Sequence, residues 1–246
     1  MSKTYSASYY QHIDRAEREH FWFVARNDMI ISMIRRIVPD RAGKPFLDIG
    51  CGTGVLLRRL RETGFIPTGL DVNARALSYA ASHTHGTLVR SSIGSYAPKK
   101  PFAAAGAFDV IEHISDDAGV IARCHRLLER GGYIFLTVPA EPYLWSSIDT
   151  LSGHKRRYTK AGLQTLLERN GFRVLSIGYW NSLLLPVYML WRLAKGKSRD
   201  GVIQQYLTTP HPMINAILLY VLRMETVLFR GKLPFGASLV VAAQKV

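Results

Sequence analysis

At 246 residues, 48% of them hydrophobic and 20% charged, the chain has ordinary globular composition and is long enough for one α/β domain with a substantial core plus an accessory element. Lys and Arg number 32 against 18 acids, a net charge of +14, which favours anionic partners (a membrane surface, phosphorylated small molecules or nucleic acid) and says nothing about fold. Two cysteines, Cys51 and Cys124, exclude a disulfide framework, the N-terminus has no apolar run of signal-peptide length, and no stretch reaches the roughly 20 apolar residues that span a bilayer; a cytoplasmic location is expected.

From Tyr5 to Val38 the pattern is helical and amphipathic until Pro39 stops it, forming a cap over residues 1–40. Strand and helix then alternate. A strand runs from Pro45 to Gly50, a helix to Thr63, a strand from Phe65 to Leu70, a helix from Ala74 to His83 and a strand near Leu88 to Ser91. AGAFDVIEH reads as a fourth strand ending at Glu112 and His113, and Asp116 or Asp117 caps a helix to Glu129. After Gly131-Gly132, YIFLTVPA is a continuous apolar run suited to a buried central strand. Thr159 opens a helix to Asn170-Gly171, FRVLSIGYW is the sixth strand and SLVVAAQKV the seventh. This order predicts a mostly parallel, doubly covered sheet, with residues 41–180 and 237–246 as its core and 181–236 as a helical insertion.

The segment FLDIGCGTG constrains function most. An apolar strand carrying Asp48 enters a turn with Gly50, Cys51, Gly52 and Gly54, and Asp71 follows at the tip of the next strand. Glycines let a ligand lie almost on the backbone, and an acid at that tip is placed to accept hydrogen bonds from ribose hydroxyls. A dinucleotide fingerprint would need a glycine at Val55; the chain instead has G-x-G-x-G. The pattern resembles motif I of the class I S-adenosylmethionine-dependent methyltransferases. FDVIEH and LLERGGYIFLTVPA, in that order, resemble later motifs of the same family, in its bacterial small-molecule and ubiquinone-biosynthesis branch.

The resemblance implies a Rossmann-like, seven-stranded sheet with an antiparallel last strand and S-adenosyl-L-methionine as cofactor. Asp48 would help place its methionine end, Arg26 would pair with its carboxylate, a surface arginine being the other reading, and Asp71, with Val72 beside it, would hold the ribose. The acid that often reads adenine is absent from VRSSIGSYA, which leaves the hydroxyl of Ser91 or Ser92 and the backbone of Ile93 for that contact, with Phe108 nearby. His113 and His154 are the candidate bases, His113 alternatively bonding backbone beside the cofactor. In GHKRRYT, Lys155, Arg156, Arg157 and Tyr158 suit an anionic substrate, with Tyr143, Trp145 and Trp22 as aromatic walls; a solvated basic loop is the other reading. No spaced ligand motif predicts a metal.

The insertion has two apolar helical stretches flanked by Arg192, Lys195, Lys197, Arg199, Arg223, Arg230 and Lys232. It reads as packing over the core, a substrate lid, a dimer interface or a membrane-surface element. The expected function is methyl transfer, to oxygen, of a small-molecule or lipid-linked acceptor: a sugar, a quinone precursor or a polyprenyl-phosphate intermediate. A nucleic-acid methyltransferase is the runner-up, although the adenine-amine tetrad and a Pro-Cys nucleophile are both missing. A noncatalytic membrane-associated protein is a third reading. Monomer and homodimer both remain open.

Overall fold

The computed structural model describes residues 7–84, 86–195 and 208–246. Helices α1 (Ala7–Glu19) and α2 (Phe21–Ile37) precede β1 (Pro45–Ile49), α3 (Val55–Glu62), β2 (Ile66–Asp71), α4 (Ala74–His83), β3 (Thr87–Arg90) and β4 (Phe102–Phe108). There follow α5 (Asp117–Leu127), β5 (Leu128–Pro139), α6 (Ser147–Ser152), α7 (Lys160–Arg169), β6 (Phe172–Trp180), α8 (Leu185–Lys195), α9 (Pro212–Leu228) and β7 (Ser238–Lys245). The strands form one sheet in the order β3-β2-β1-β4-β5-β7-β6. Pairs among β1 to β5 are parallel, and β7 runs antiparallel between β5 and β6.

Period-two alternation distributes the strands' apolar side chains to two cores. Leu47, Ile49, Ile134, Leu136, Leu239 and Val241 face Val120 and Ile121 of α5 and Leu163 and Leu167 of α7. Phe46, Phe135, Val240 and Ala242 face Ile30 and Ile34 of α2, Leu60 of α3 and Leu222 of α9. Each of the larger side chains among these, fully buried, contributes about 1.5–3 kcal/mol. Helix α2 thus covers one face of the sheet as an integral layer.

Three boundaries differ from the sequence reading. The N-terminal helix is broken at His20, whose extended backbone caps α2 through Nδ1, the acceptor for Trp22 N–H. The broken ends are satisfied from far along the chain: Asn215 Oδ1 of α9 accepts the Phe21 N–H at 2.8 Å, and its Nδ2 donates to the Glu19 carbonyl at 2.9 Å. Strand β4 starts earlier and ends at Phe108, because Asp109 adopts φ 56° and Ile111–His113 coil into a 3₁₀ turn. Strand β5 begins at Leu128, so Gly131 and Gly132 lie within it, beside a register shift against β4, and do not separate it from the helix.

The insertion is tied to α2. Asp28 accepts from both Arg59 of α3 and Arg223 of α9, the latter at 2.7 Å. Glu225 of α9 is buried and its carboxylate accepts the Ser182 N–H at 3.0 Å and the Leu183 N–H at 2.9 Å, donors just ahead of α8. Lys197 and Arg199 lie outside the described residues, as does Tyr5; Arg192 and Lys195 are placed only as positions on α8. Replacing Glu225 by Ala leaves two amide donors without their acceptor, an expected loss of about 2–3 kcal/mol in urea unfolding. An unchanged midpoint would mean that this carboxylate does not hold α8 to α9.

Candidate active site

The sheet order reverses between β1 and β4, and a cavity of about 580 Å³ opens beyond their C-terminal ends. Gly50, Cys51 and Gly52 line it from the turn after β1. The glycines serve different ends. A Cβ on Gly54, at φ 82°, would lie 2.7 Å from the Ala80 Cβ, so this glycine admits the close packing of α4 against α3. On Gly52, at φ 55°, it would project into the cavity with only Glu17 Oε1 within reach at 3.8 Å. That position gives a ligand access to the backbone.

Carboxyls crowd this end of the cavity. Asp71 Oδ2 accepts the Gly52 N–H at 3.0 Å and Oδ1 the Asn73 N–H at 2.8 Å, which holds its carboxylate at the tip of β2. Asp48, 2% exposed, has its pKa pushed up to about 8, first by burial and then by the charges of Glu17 and Asp71, against the pull of Arg26. Burial also raises the Glu17 carboxyl, which accepts a hydrogen bond from Thr53. Arg26 is the countercharge. It pairs with Asp109 at 3.3 Å and lies 5.6 Å from the Trp22 ring centroid, and its buried Nε has no hydrogen-bond partner. A carboxylate entering the cavity could be received by that donor, an ammonium by Asp48, and a pair of hydroxyls by Asp71. The residues present therefore fit S-adenosylmethionine.

On the β5 side two histidines meet. His154 Nδ1 lies 2.9 Å from Asp149 Oδ1, and Arg157 holds the same carboxylate with two bonds of 2.8 and 3.0 Å. Ser146, the N-cap of α6, donates to it from both N–H and Oγ. Burial alone would raise the Asp149 carboxyl, but the hydrogen bonds from His154 and Arg157 and the Arg157 charge outweigh it and keep the group ionised. With Nδ1–H donated to Asp149, His154 Nε2 is left as an acceptor, 4.0 Å from Glu112 Oε1. The His113 ring meets that of His154 edge-on at 4.8 Å and bonds the Gly153 backbone; burial first, and then His154, lowers its pKa. Glu112 is fully buried and neither carboxyl oxygen has a hydrogen-bond partner; burial, then Asp109, raises its pKa well above the ordinary range.

Glu112, His113 and His154 also offer ligand atoms within 4.8 Å of one another, a set able to hold a metal ion. The expectation of no ligand cluster rested on local spacing. The fold joins a pair at the end of β4 to a histidine far along the chain.

The cavity brings together Trp22, Arg26, Asp48, Gly50, Cys51, Gly52, Asp71, Phe108, His113, His154 and Arg157 of the residues singled out above. It does not bring in the rest. Gly54 serves helix packing, Val72 is exposed while its neighbour Asn73 takes the wall, and Ser92 bonds Ser95 while Ile93 packs in the core. Lys155 donates to Ser115, Arg156 pairs with Asp117 at 2.7 Å, and the Tyr158 hydroxyl donates to Asp117 at 2.8 Å. Tyr143 and Trp145 are exposed and lie off the cavity wall. The basic loop is largely spent on internal acids, and its Arg157 on Asp149. Sequence reading missed Glu17, Asp109 and Asp149; only Asp149 left a local trace, as the third residue after Ser146 in a capping box.

A methyltransferase-domain family matches residues 18–177, more than half of the chain. The ubiquinone biosynthesis O-methyltransferase of Pseudomonas aeruginosa is 36% identical over 117 residues, 44% of this chain and 50% of that protein. The chain spans about half the length of the curated relatives it matches. Phosphoethanolamine N-methyltransferase 2 of Haemonchus contortus, with S-adenosyl-L-methionine, superposes with a TM-score of 0.68 at 16% identity over 99% of this chain and 58% of that one. Magnesium protoporphyrin IX methyltransferase of Synechocystis, with S-adenosylhomocysteine, gives 0.62 at 14% identity over 97% and 94%. These two likenesses concern the fold. The chain belongs to the methyltransferase-domain family, in the class I fold whose cofactor is S-adenosylmethionine.

Proposed function

We propose that the protein transfers a methyl group to a hydroxyl oxygen of an apolar, small-molecule or lipid-linked acceptor, with a quinone precursor as the leading candidate. The observation that carries this reading is the Asp149–His154 pair on the wall of the cavity that Gly52 and Asp71 also line. Part of the chain is similar to proteins named ubiquinone biosynthesis O-methyltransferases, which favours oxygen. The internal pairing of Lys155, Arg156 and Arg157 speaks against an acceptor recognised by its anionic group through that loop. The sugar and polyprenyl-phosphate candidates therefore rank lower.

Bound in the cavity, S-adenosylmethionine supplies an electrophilic methyl on a sulfonium. His154 Nε2 would take the proton of the acceptor hydroxyl as its oxygen displaces the sulfur, the methyl–sulfur bond breaking and S-adenosylhomocysteine leaving as the neutral thioether. Asp149 fixes the tautomer that leaves Nε2 free to accept, and its charge stabilises the imidazolium formed. Arg157 and Ser146 hold Asp149 in turn. Trp22, Phe23, Ile148 and Leu184 give the cavity apolar walls that restrict water and align the reactants. A second reading is favoured by the ligand cluster: a divalent ion on Glu112, His113 and His154 would acidify the acceptor hydroxyl in place of a base.

Three outcomes are expected. In methyl-transfer assays on a prenylated catechol, His154→Ala lowers kcat about 10²–10⁴-fold with little change in S-adenosylhomocysteine affinity; retained kcat would remove His154 from the chemistry. Exhaustive chelation leaves the rate unchanged under the base reading, whereas a loss restored by a divalent ion moves the assignment to the metal one. Asp48 keeps its proton in the unligated fold up to a pH of about 8, while the unfolded chain releases it near 3.8, so the unligated protein loses stability as pH rises between those values. An ammonium on Asp48 selects the ionised form. Calorimetric affinity for S-adenosylhomocysteine should therefore rise up to about tenfold per pH unit below 8. Asp48→Asn should flatten that slope, and Asp71→Ala should abolish binding; a pH-independent wild type would remove Asp48 from the cofactor contact.

A further inference from the structure

Helix α9 is apolar on two opposite sides. Asn215, Leu219, Leu222 and Thr226 engage α1, α2 and β6, while Met213, Ile217, Tyr220 and Val227 form a second stripe at helical spacing. The second stripe is open: Met213, Ile217, Tyr220 and Val227 are 66, 56, 65 and 63% exposed. A helix apolar on both sides is expected inside a larger core or against lipid. Helix α8 repeats the arrangement beside the cavity. Tyr188, with Leu184 just ahead of the helix, lines the cavity, while Val187, Met189 and Leu190 are exposed. Each helix thus carries several exposed apolar side chains on its outer side, and α8 borders the cavity through Tyr188.

In sequence the insertion is predominantly basic, although Arg223 is itself paired with Asp28. Residues 181–236 contain Arg192, Lys195, Lys197, Arg199, Arg223, Arg230 and Lys232 against Asp200 and Glu225. Glu225 is buried on internal amides, and the exposed residues of α9 include no acid. Arg230 and Lys232, just past the helix, are exposed. A second copy of this chain would bring a protein of net charge +14, with the same basic residues, against the same face. An anionic bilayer meets both the apolar stripe and the cations. No helix among the described residues is long and apolar enough to cross a membrane, and the 17 residues of α9 extend about 25 Å against a hydrocarbon core of about 30 Å.

We infer that the outer faces of α8 and α9 dock on an anionic lipid bilayer, lying in its interface and presenting the cavity to an acceptor carried in the lipid. The acceptor part of this statement rests on the proposed methyl transfer; the docking does not. The test is co-sedimentation of the full chain with phosphatidylethanolamine/phosphatidylglycerol vesicles and with pure phosphatidylcholine vesicles, alongside S-adenosylhomocysteine calorimetry on every variant. The wild type should bind the anionic vesicles at least tenfold better, and less well as salt rises. Ile217→Asp with Tyr220→Asp should lose at least tenfold in vesicle affinity with cofactor affinity intact. Ile66→Asp, at an exposed site at the start of β2, should lose nothing. Arg230→Glu with Lys232→Glu, which leaves the apolar stripe untouched, should cut anionic binding several-fold and so supports the assignment even where the aspartate pair fails to fold. Absence of vesicle binding, binding indifferent to both pairs, or loss in the aspartate pair of a dimer seen by sedimentation would overturn the docking. Loss of cofactor binding by the wild type would instead overturn the methyl-transfer reading alone.

Discussion

Three carboxyls, Asp48, Asp71 and Glu17, surround a glycine turn with Arg26 as their countercharge, and much of the remaining architecture exists to hold them there. Asp48 is buried and Glu17 half-buried; desolvation favours the neutral form of both, and at Asp48 the charges of Glu17 and Asp71 add to it. Each is nevertheless anchored by a different element: Asp48 by β1, Asp71 by the amides of Gly52 and Asn73, Glu17 by Thr53 across from α1. Such an arrangement costs stability in the unligated protein. A ligand with an ammonium and ribose hydroxyls relieves it, while its carboxylate meets the unpartnered Nε of Arg26. The site is electrostatically incomplete alone, and complementary to a zwitterionic nucleoside.

The opposite wall is built by a different economy. Asp149 is buried as well, yet it stays ionised because Arg157, Ser146 and His154 saturate its oxygens. The difference between Asp48 and Asp149 is not burial but hydrogen-bond supply. One carboxyl is left wanting a ligand; the other is committed to orienting an imidazole. Between them Glu112, buried and without a hydrogen-bond partner, has its pKa raised by burial and then by Asp109, and with both histidines it offers a ligand set for a metal ion.

The insertion joins these walls to the outside. Asn215 bridges the break between α1 and α2, Arg223 shares Asp28 with Arg59, and Glu225 anchors the approach to α8. These three side chains, like Thr226, are polar residues in a largely apolar helix, and all bond other parts of the protein. The apolar residues divide between core and surface. This inversion, with polar contacts inward and an apolar stripe outward, is the pattern of a helix with a second medium to meet.

The strand–glycine–helix unit, the acid at the tip of β2 and the alternation of strands and helices were legible because they are set by local periodicity and short motifs, whereas the antiparallel last strand was implied by the family resemblance alone. The break at His20 was not legible, because the same amphipathic pattern runs through it and the groups that satisfy it come from α9. The sequence of the basic loop admits both a substrate-facing cluster and a solvated basic loop; it says nothing about Ser115, Asp117 and Asp149, the groups that engage Lys155, Arg156 and Arg157. Asp149, Glu17 and the clustering of Glu112 with His113 and His154 depend on contacts between residues distant in sequence, where burial and hydrogen-bond supply are decided. The sequence by itself determined the sheet and the cofactor turn, since periodicity and glycine spacing are local. Tertiary structure alone decided which charges are neutralised internally and which face the cavity, since that depends on which side chains the fold brings within hydrogen-bond reach.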